Sequence, residues 1–227
     1  MRRAALAAAL RAMDAGGAVS ALETLIRGVI SRRAGCVAVY TCLIDANDLV
    51  CLLPAAHLDA MLVAGRAAGH VVAAQWLLSP QAPASATQVE SEALIDSSLK
   101  DVPLGRRRAL ARTARGEASN RLARDPDFAV VTNLLANPHT TEQLVLRIAS
   151  RRPTVSRALE AVLRSPKWGR RYPVRLALAN NPYLAPRLAV NLLPFLSRRD
   201  LQAVKDDAAL TATLRLAAQR LLLLERS

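Results

Sequence analysis

Five prolines in the second half of this 227-residue chain constrain its fold most. Pro126, Pro138, Pro153, Pro166 and Pro182 are separated by 12, 15, 13 and 16 residues, and by 27, 28 and 29 when taken two at a time. Proline removes a backbone donor and clashes with the preceding turn, so each marks where one helix stops or the next begins. Pro173 and Pro186 fall outside the series. Between the prolines, apolar residues recur at helical spacing: Val130, Val131, Leu134 and Leu135; Leu144 and Ile148; Val155, Leu159, Val162 and Leu163; Leu176, Leu178 and Ala179; Leu188 and Leu192. Short amphipathic helices with short connections bury their apolar faces by stacking hairpin upon hairpin. The pattern predicts an all-α chain, an α-solenoid of stacked antiparallel helix hairpins with no β-sheet.

Capping signals accompany the prolines. Asp125-Pro126 and Ser165-Pro166 place a capping side chain before a proline at the first helical position, and Asn181-Pro182 can do the same. Thr140 with Gln143 and Ser197 with Asp200 have capping-box spacing. Pro194 ends or kinks a helix near Leu193, after which helices are expected over 198–205 and 208–224. Leu221 to Leu224 either cap the core of the array or form a self-association patch.

The first half reads as helices over 4–14, 18–31, 36–44, 55–67 and 69–78, followed by one over Glu90 to Leu99. Ser20 with Glu23 sets the expected start of the second. Residues 79–85, SPQAPAS, read as a linker. They divide a helical region, 1–85, from a basic repeat region, 86–227, which either stands apart or continues the same array. The N-terminal MRRAALAAALRAMD reads as an amphipathic helix, because its apolar run is too short for a leader. No run is long and apolar enough for a membrane span, so a soluble, cytoplasmic protein is expected. Oligomeric state is not legible.

Apolar residues are 52% of the chain and aromatics only 3%, so Ala, Leu and Val must build the core, which suits close-packed helices. The net charge is +13. Residues 1–100 carry eight basic and eight acidic side chains, whereas 101–227 carry 23 and 10, so the whole excess lies in the repeats. Such asymmetry points to a polyanionic partner. Only Lys100, Lys167 and Lys205 are lysines, and the arginine excess also fits a high-GC coding bias. In LGRRRALARTAR, Arg108, Arg112 and Arg115 share one face if the segment is a single helix. With Arg151, Arg152, Lys167, Trp168, Arg170, Arg171 and Arg175 they make up a candidate binding surface. In KWGRRY, arginines interleave with aromatics, an arrangement that either stacks bases and neutralises phosphates or packs one repeat on the next.

The segments NLLANPHTTEQLVLRIASRRP (133–153), RSPKWGRRYPVRLALANNP (164–182) and LAVNLLPFLSRRDL (188–201) resemble a group of bacterial helical-repeat proteins of uncharacterised function, HEAT-like and related to leucine-rich-repeat variants. The resemblance covers about 100 residues from Leu104 on. It implies a right-handed all-α superhelix in the cytoplasm and no catalytic residues. The Trp168–Tyr172 cluster is also loosely similar to that of HEAT-like alkylpurine DNA glycosylases, in which aromatics and an aspartate hold the damaged nucleotide. No Asp or Glu lies near Trp168 here, and no catalytic role is carried over.

No nucleotide loop, nucleophile elbow or zinc-binding helix motif is present. Cys36, Cys42 and Cys51 lack zinc-pair spacing and read as buried apolar residues. Asp45 and Asp48 read as turn residues, and His57, His70 and His139 as ordinary helix or loop histidines. No metal, cofactor or catalytic set is expected. The sequence favours a non-catalytic scaffold for an unidentified protein partner, with nucleic acid, in a DNA-repair-like role, as the alternative ligand.

Overall fold

A computed structural model describes residues 2–41, 52–70, 73 and 91–224, and among them the chain is helical with no β-strand. Thirteen α-helices are bounded among the described residues: α1 (Arg2–Ala12), α2 (Ala15–Ile30), α3 (Ala34–Thr41), α4 (Ala55–Ala67), α5 (Leu104–Ala111), α6 (Gly116–Leu122), α7 (Phe128–Ala136), α8 (Glu142–Ser150), α9 (Ser156–Arg164), α10 (Tyr172–Ala179), α11 (Pro186–Leu192), α12 (Arg198–Asp206) and α13 (Ala212–Leu224). None is long and apolar enough to cross a membrane among the described residues. The expected linker at 79–85 and the turn at 45–48 lie outside them, as do Cys42, Cys51 and most of the expected helix over 69–78.

Two compact units divide the chain, Ala82–Ala185 on one side and Met1–Gln81 with Pro186–Ser227 on the other. In the second, α2 is the central element and packs on α3, α4 and the 3-10 turn Leu193–Phe195. Of the apolar stripe Leu22, Leu25, Ile26, Val29 and Ile30 that helical spacing predicts to be buried, Leu22, Ile26 and Val29 are buried and Leu25 and Ile30 half-buried. The start differs from expectation. Asp14, not Ser20, caps α2 by accepting from Gly17 N–H. Any Cβ on Gly17 would lie 2.7 Å from the Asp14 carboxylate, so the Gly16-Gly17 pair admits the cap instead of breaking the helix. Tyr40 packs on Phe195 with ring centroids 5.5 Å apart, and burial pushes its phenol pKa up. Helix α13 packs on α11 and α12 and buries Leu221 and Leu222. Pro194 ends α11 at Leu192, as expected, and Ser197 caps α12 by accepting from Asp200 N–H.

The unit Ala82–Ala185 holds α5 to α10. Five of its six helices pack chiefly on the next but one: α5 on α7, α7 on α9, and α8 on α10, with α8 also against α9; α6 packs instead on its neighbours α5 and α7. The expected helix over Glu90–Leu99 is instead two 3-10 turns, Ser91–Leu94 and Ser97–Leu99. Asp96 between them accepts from Ser98 N–H and stops regular helix.

The prolines punctuate differently from the capping scheme. Asp125, Asn137 and Asn181, each followed by proline, accept the N–H two residues on, from Asp127, His139 and Tyr183, at 2.9, 2.9 and 3.0 Å. These are Asx turns, and they hand the chain to a later cap. Asp127, not Asp125, caps α7 through Ala129 and Val130 N–H. Thr141, not Thr140, caps α8, while the buried Thr140 hydroxyl donates to the Leu134 carbonyl. Ser165 is the C-cap of α9, not the N-cap expected of it.

Candidate binding surface

The buried Asn137 and Asn181 tie this unit together. Asn137 is 2% exposed, and its Nδ2 donates to the carbonyls of Ala111 (3.1 Å) and Ala114 (2.8 Å), just past the end of α5. Asn181 is 1% exposed and does the same to Ala149 (2.8 Å) and Arg151 (3.0 Å) at the end of α8. The last carbonyls of a helix lack intrahelical partners, and a carboxamide can span two of them. Asp125 has no donor to offer and pairs instead with Arg107. Burial raises its pKa, against the Asp127 N–H and the Arg107 guanidinium, which lower it.

Trp168 lies in the turn after α9. Its side chain is 2% exposed, and the indole N–H donates to the Leu135 carbonyl at 3.0 Å. Lys167 Nζ and Arg171 Cζ lie 4.3 and 5.0 Å from the ring centroid. At that range the cations cover the ring's electron-rich face. Gly169 permits the turn, because a Cβ there would sit 2.1 Å from the Leu163 carbonyl oxygen. Arg175 is 8% exposed and donates Nε–H to the Gly169 carbonyl at 3.0 Å. Burial, aided by Arg170, lowers its pKa to about 10, so it stays charged at neutral pH.

The other arginines of the expected surface divide between internal bonds and solvent. Arg108, Arg112 and Arg115 do not share one helix face: α5 ends at Ala111, Arg112 follows as its cap, and Arg115 is extended before α6. Arg108 forks onto Asp127, Nε to Oδ1 at 3.1 Å and Nη2 to Oδ2 at 3.0 Å. That pair holds the Asp127 pKa below the usual carboxylate range. Arg171 pairs with Glu142 in the first turn of α8, and Arg152 donates to the Asn180 carbonyl. Arg151 is half-buried after α8; burial and the nearby Arg124 lower its pKa, while Asp96 opposes them. Arg112, Arg115 and Arg170 are exposed and join no ion pair among the described residues. Thus Lys167, Trp168, Arg170, Arg171 and Arg175 come together around one turn. The Arg108 and Arg152 side chains act as ties elsewhere.

Sequence reasoning passed over Asn137 and took Asn181 only for a helix cap; the signal for both was the repeated Asn-Pro itself. It also passed over a cavity of about 350 Å³ between α7 and α9, lined by Phe128, Thr132 and Ala136, by Ala161 and Arg164, and by Lys167 after the helix. No group of three His, Cys, Asp or Glu that could hold a metal occurs among the described residues. No family model, no curated protein and no solved structure matches the chain.

Proposed function

We propose that the protein is a non-catalytic α-helical repeat scaffold, of α-solenoid type, that binds another protein. The observation that carries this reading is the fate of the arginines. Arg107, Arg108 and Arg171 pair with Asp125, Asp127 and Glu142, and Arg152 and Arg175 cap backbone carbonyls. Phosphate binding needs cations that are free to replace condensed counterions, and base stacking needs an open aromatic face. Those five side chains are engaged, and Trp168 is buried. The packing of α5 on α7, α7 on α9 and α8 on α10, with the same Asn-Pro device after α7 and α10, supports a repeat frame.

Arg106, Arg112 and Arg115, exposed on and after α5, favour a second reading, nucleic-acid binding through this unit. Fluorescence anisotropy with a labelled duplex at low and physiological salt separates the two. The scaffold reading expects weak binding that salt abolishes. Tight binding at physiological salt, lost in Arg112→Glu/Arg115→Glu, would replace it with the second.

A further inference from the structure

We propose that the cavity between α7 and α9 is the docking site for a partner's acidic segment, which inserts one large apolar side chain and pairs its carboxylates with Lys167 and Arg164. The proposal rests on the scaffold reading and names its partner chemistry. The cavity volume of about 350 Å³ is at the lower end of the range for small-molecule pockets, roughly 300–1,000 Å³. Its wall is apolar: Phe128 at the start of α7, then Thr132 and Ala136 one and two turns on, facing Ala161 of α9. Thr132 commits its hydroxyl to the Phe128 carbonyl at 2.7 Å. With Leu135 and Pro166 the lining is mostly carbon, Ser165 adding one hydroxyl.

The charged residues that line the cavity, Arg164 and Lys167, are both basic. The Arg164 guanidinium lies 5.8 Å from the Phe128 ring centroid, with Glu160 at 3.8 Å as one partner. Lys167 is exposed, lies against the Trp168 ring, and pairs with no carboxylate among the described residues. The segment Ala82–Ala185 carries 17 basic and 9 acidic residues, a net +8, so the field around the opening draws in acidic chains. An apolar anchor in a concave site with a charged rim is the usual form of an interface hot spot. A single inserted side chain suits so small a cavity.

The test uses the full chain and a panel of short fluorescein-labelled peptides of glutamate and serine around one central Phe, Trp, Leu or Ser. Fluorescence polarisation should show at least one of the three apolar peptides binding about tenfold or more tighter than the Ser peptide. Ala136→Glu, at an exposed position lining the cavity, and Lys167→Glu should each weaken that binding about tenfold or more, with unchanged far-UV circular dichroism. A lysine-for-glutamate version of the best peptide should not bind. Binding that needs the apolar residue but survives Ala136→Glu overturns this site while leaving the scaffold reading in place. Equal binding of the Ser peptide, no binding by any peptide, or binding of duplex alone overturns the proposal, and duplex binding at physiological salt overturns the scaffold reading with it.

Discussion

Replacing Asn137 by Asp should destabilise the protein more than replacing it by Ala, although Asp is the closer mimic in shape. Asn137 makes three hydrogen bonds at 2.8, 2.9 and 3.1 Å, two donated and one accepted. Alanine deletes all three and leaves the Ala111 and Ala114 carbonyls without this donor. At about 1 kcal/mol for each bond lost, and somewhat more where a buried acceptor is stranded, the cost comes to about 2–4 kcal/mol. Aspartate keeps the Asx turn to His139 but presents an ionised oxygen where Nδ2 lay against two carbonyl oxygens. The lost bonds are then joined by the burial of a repelled charge, and the total should exceed that of alanine by about 1 kcal/mol or more. The charge sets a sign in pH. The folded-state pKa of such an Asp lies above its unfolded value of about 3.9, so the extra penalty is absent below about pH 4 and grows as pH rises. Urea denaturation of wild type, Asn137→Ala and Asn137→Asp at pH 7 and pH 4.5 measures this. The gap between wild type and Asn137→Asp should narrow at the lower pH, while that for Asn137→Ala stays constant. An Asp variant as stable as the Ala variant at pH 7, or a gap that does not narrow, refutes the argument that the two donated bonds make this residue Asn.

Gly169→Ala should cost about 1–3 kcal/mol or more, because its Cβ meets the Leu163 backbone carbonyl at 2.1 Å and no rotamer can relieve the clash. Gly105→Ala in α5, with nothing within 4 Å, should be neutral or stabilise by up to about 1 kcal/mol, and equal urea midpoints for the two variants would remove the distinction. Trp168→Phe keeps most of the buried ring but strands the Leu135 carbonyl, for about 1–2 kcal/mol, whereas Trp168→Ala should cost about 3–5 kcal/mol. A Trp168→Ala variant with an unchanged thermal midpoint would return the residue to the surface. Arg108 and the α7 N–H groups hold the Asp127 pKa low, so its contribution to stability is full above about pH 4 and is lost as pH falls through the depressed folded value. Asp127→Asn should therefore lose less stability than wild type between about pH 4 and pH 2 in acid titration followed by circular dichroism, and parallel acid limbs would count against the pairing.

Helices were legible where the apolar stripe is wide and the ends are set locally. Leu22, Ile26 and Val29, or Val130, Val131 and Leu134, mark their own buried faces. The caps were harder. Asx-Pro is compatible with a helix start and with an Asx turn, and only the following residues decide: after Asp125-Pro126 comes Asp127, a better-placed acceptor. The Arg108–Arg115 face failed because Arg112 to Arg115 lie between two short helices, a break whose one mark in the sequence is Gly116 at its far end, with φ +52°. The boundary between units shows the same limit. Nothing in the composition around Pro186 says that α11 to α13 group with residues 1–81; long-range packing decides that. For the candidate surface, the sequence shows where arginine and tryptophan fall along the chain. Whether each meets Glu142, Asp127, the Leu135 carbonyl or solvent depends on residues 19 to 33 positions away.

The proline after each buried asparagine has a chemical consequence beyond backbone shape. Asparagine ages to aspartate when the next residue's backbone nitrogen attacks the side-chain amide and expels ammonia. At Asn137 and Asn181 that nitrogen belongs to Pro138 and Pro182 and carries no hydrogen, so the cyclic imide cannot form by this route. The two positions at which conversion to aspartate would do most harm to the unit are therefore shielded from it by the residues that punctuate the chain.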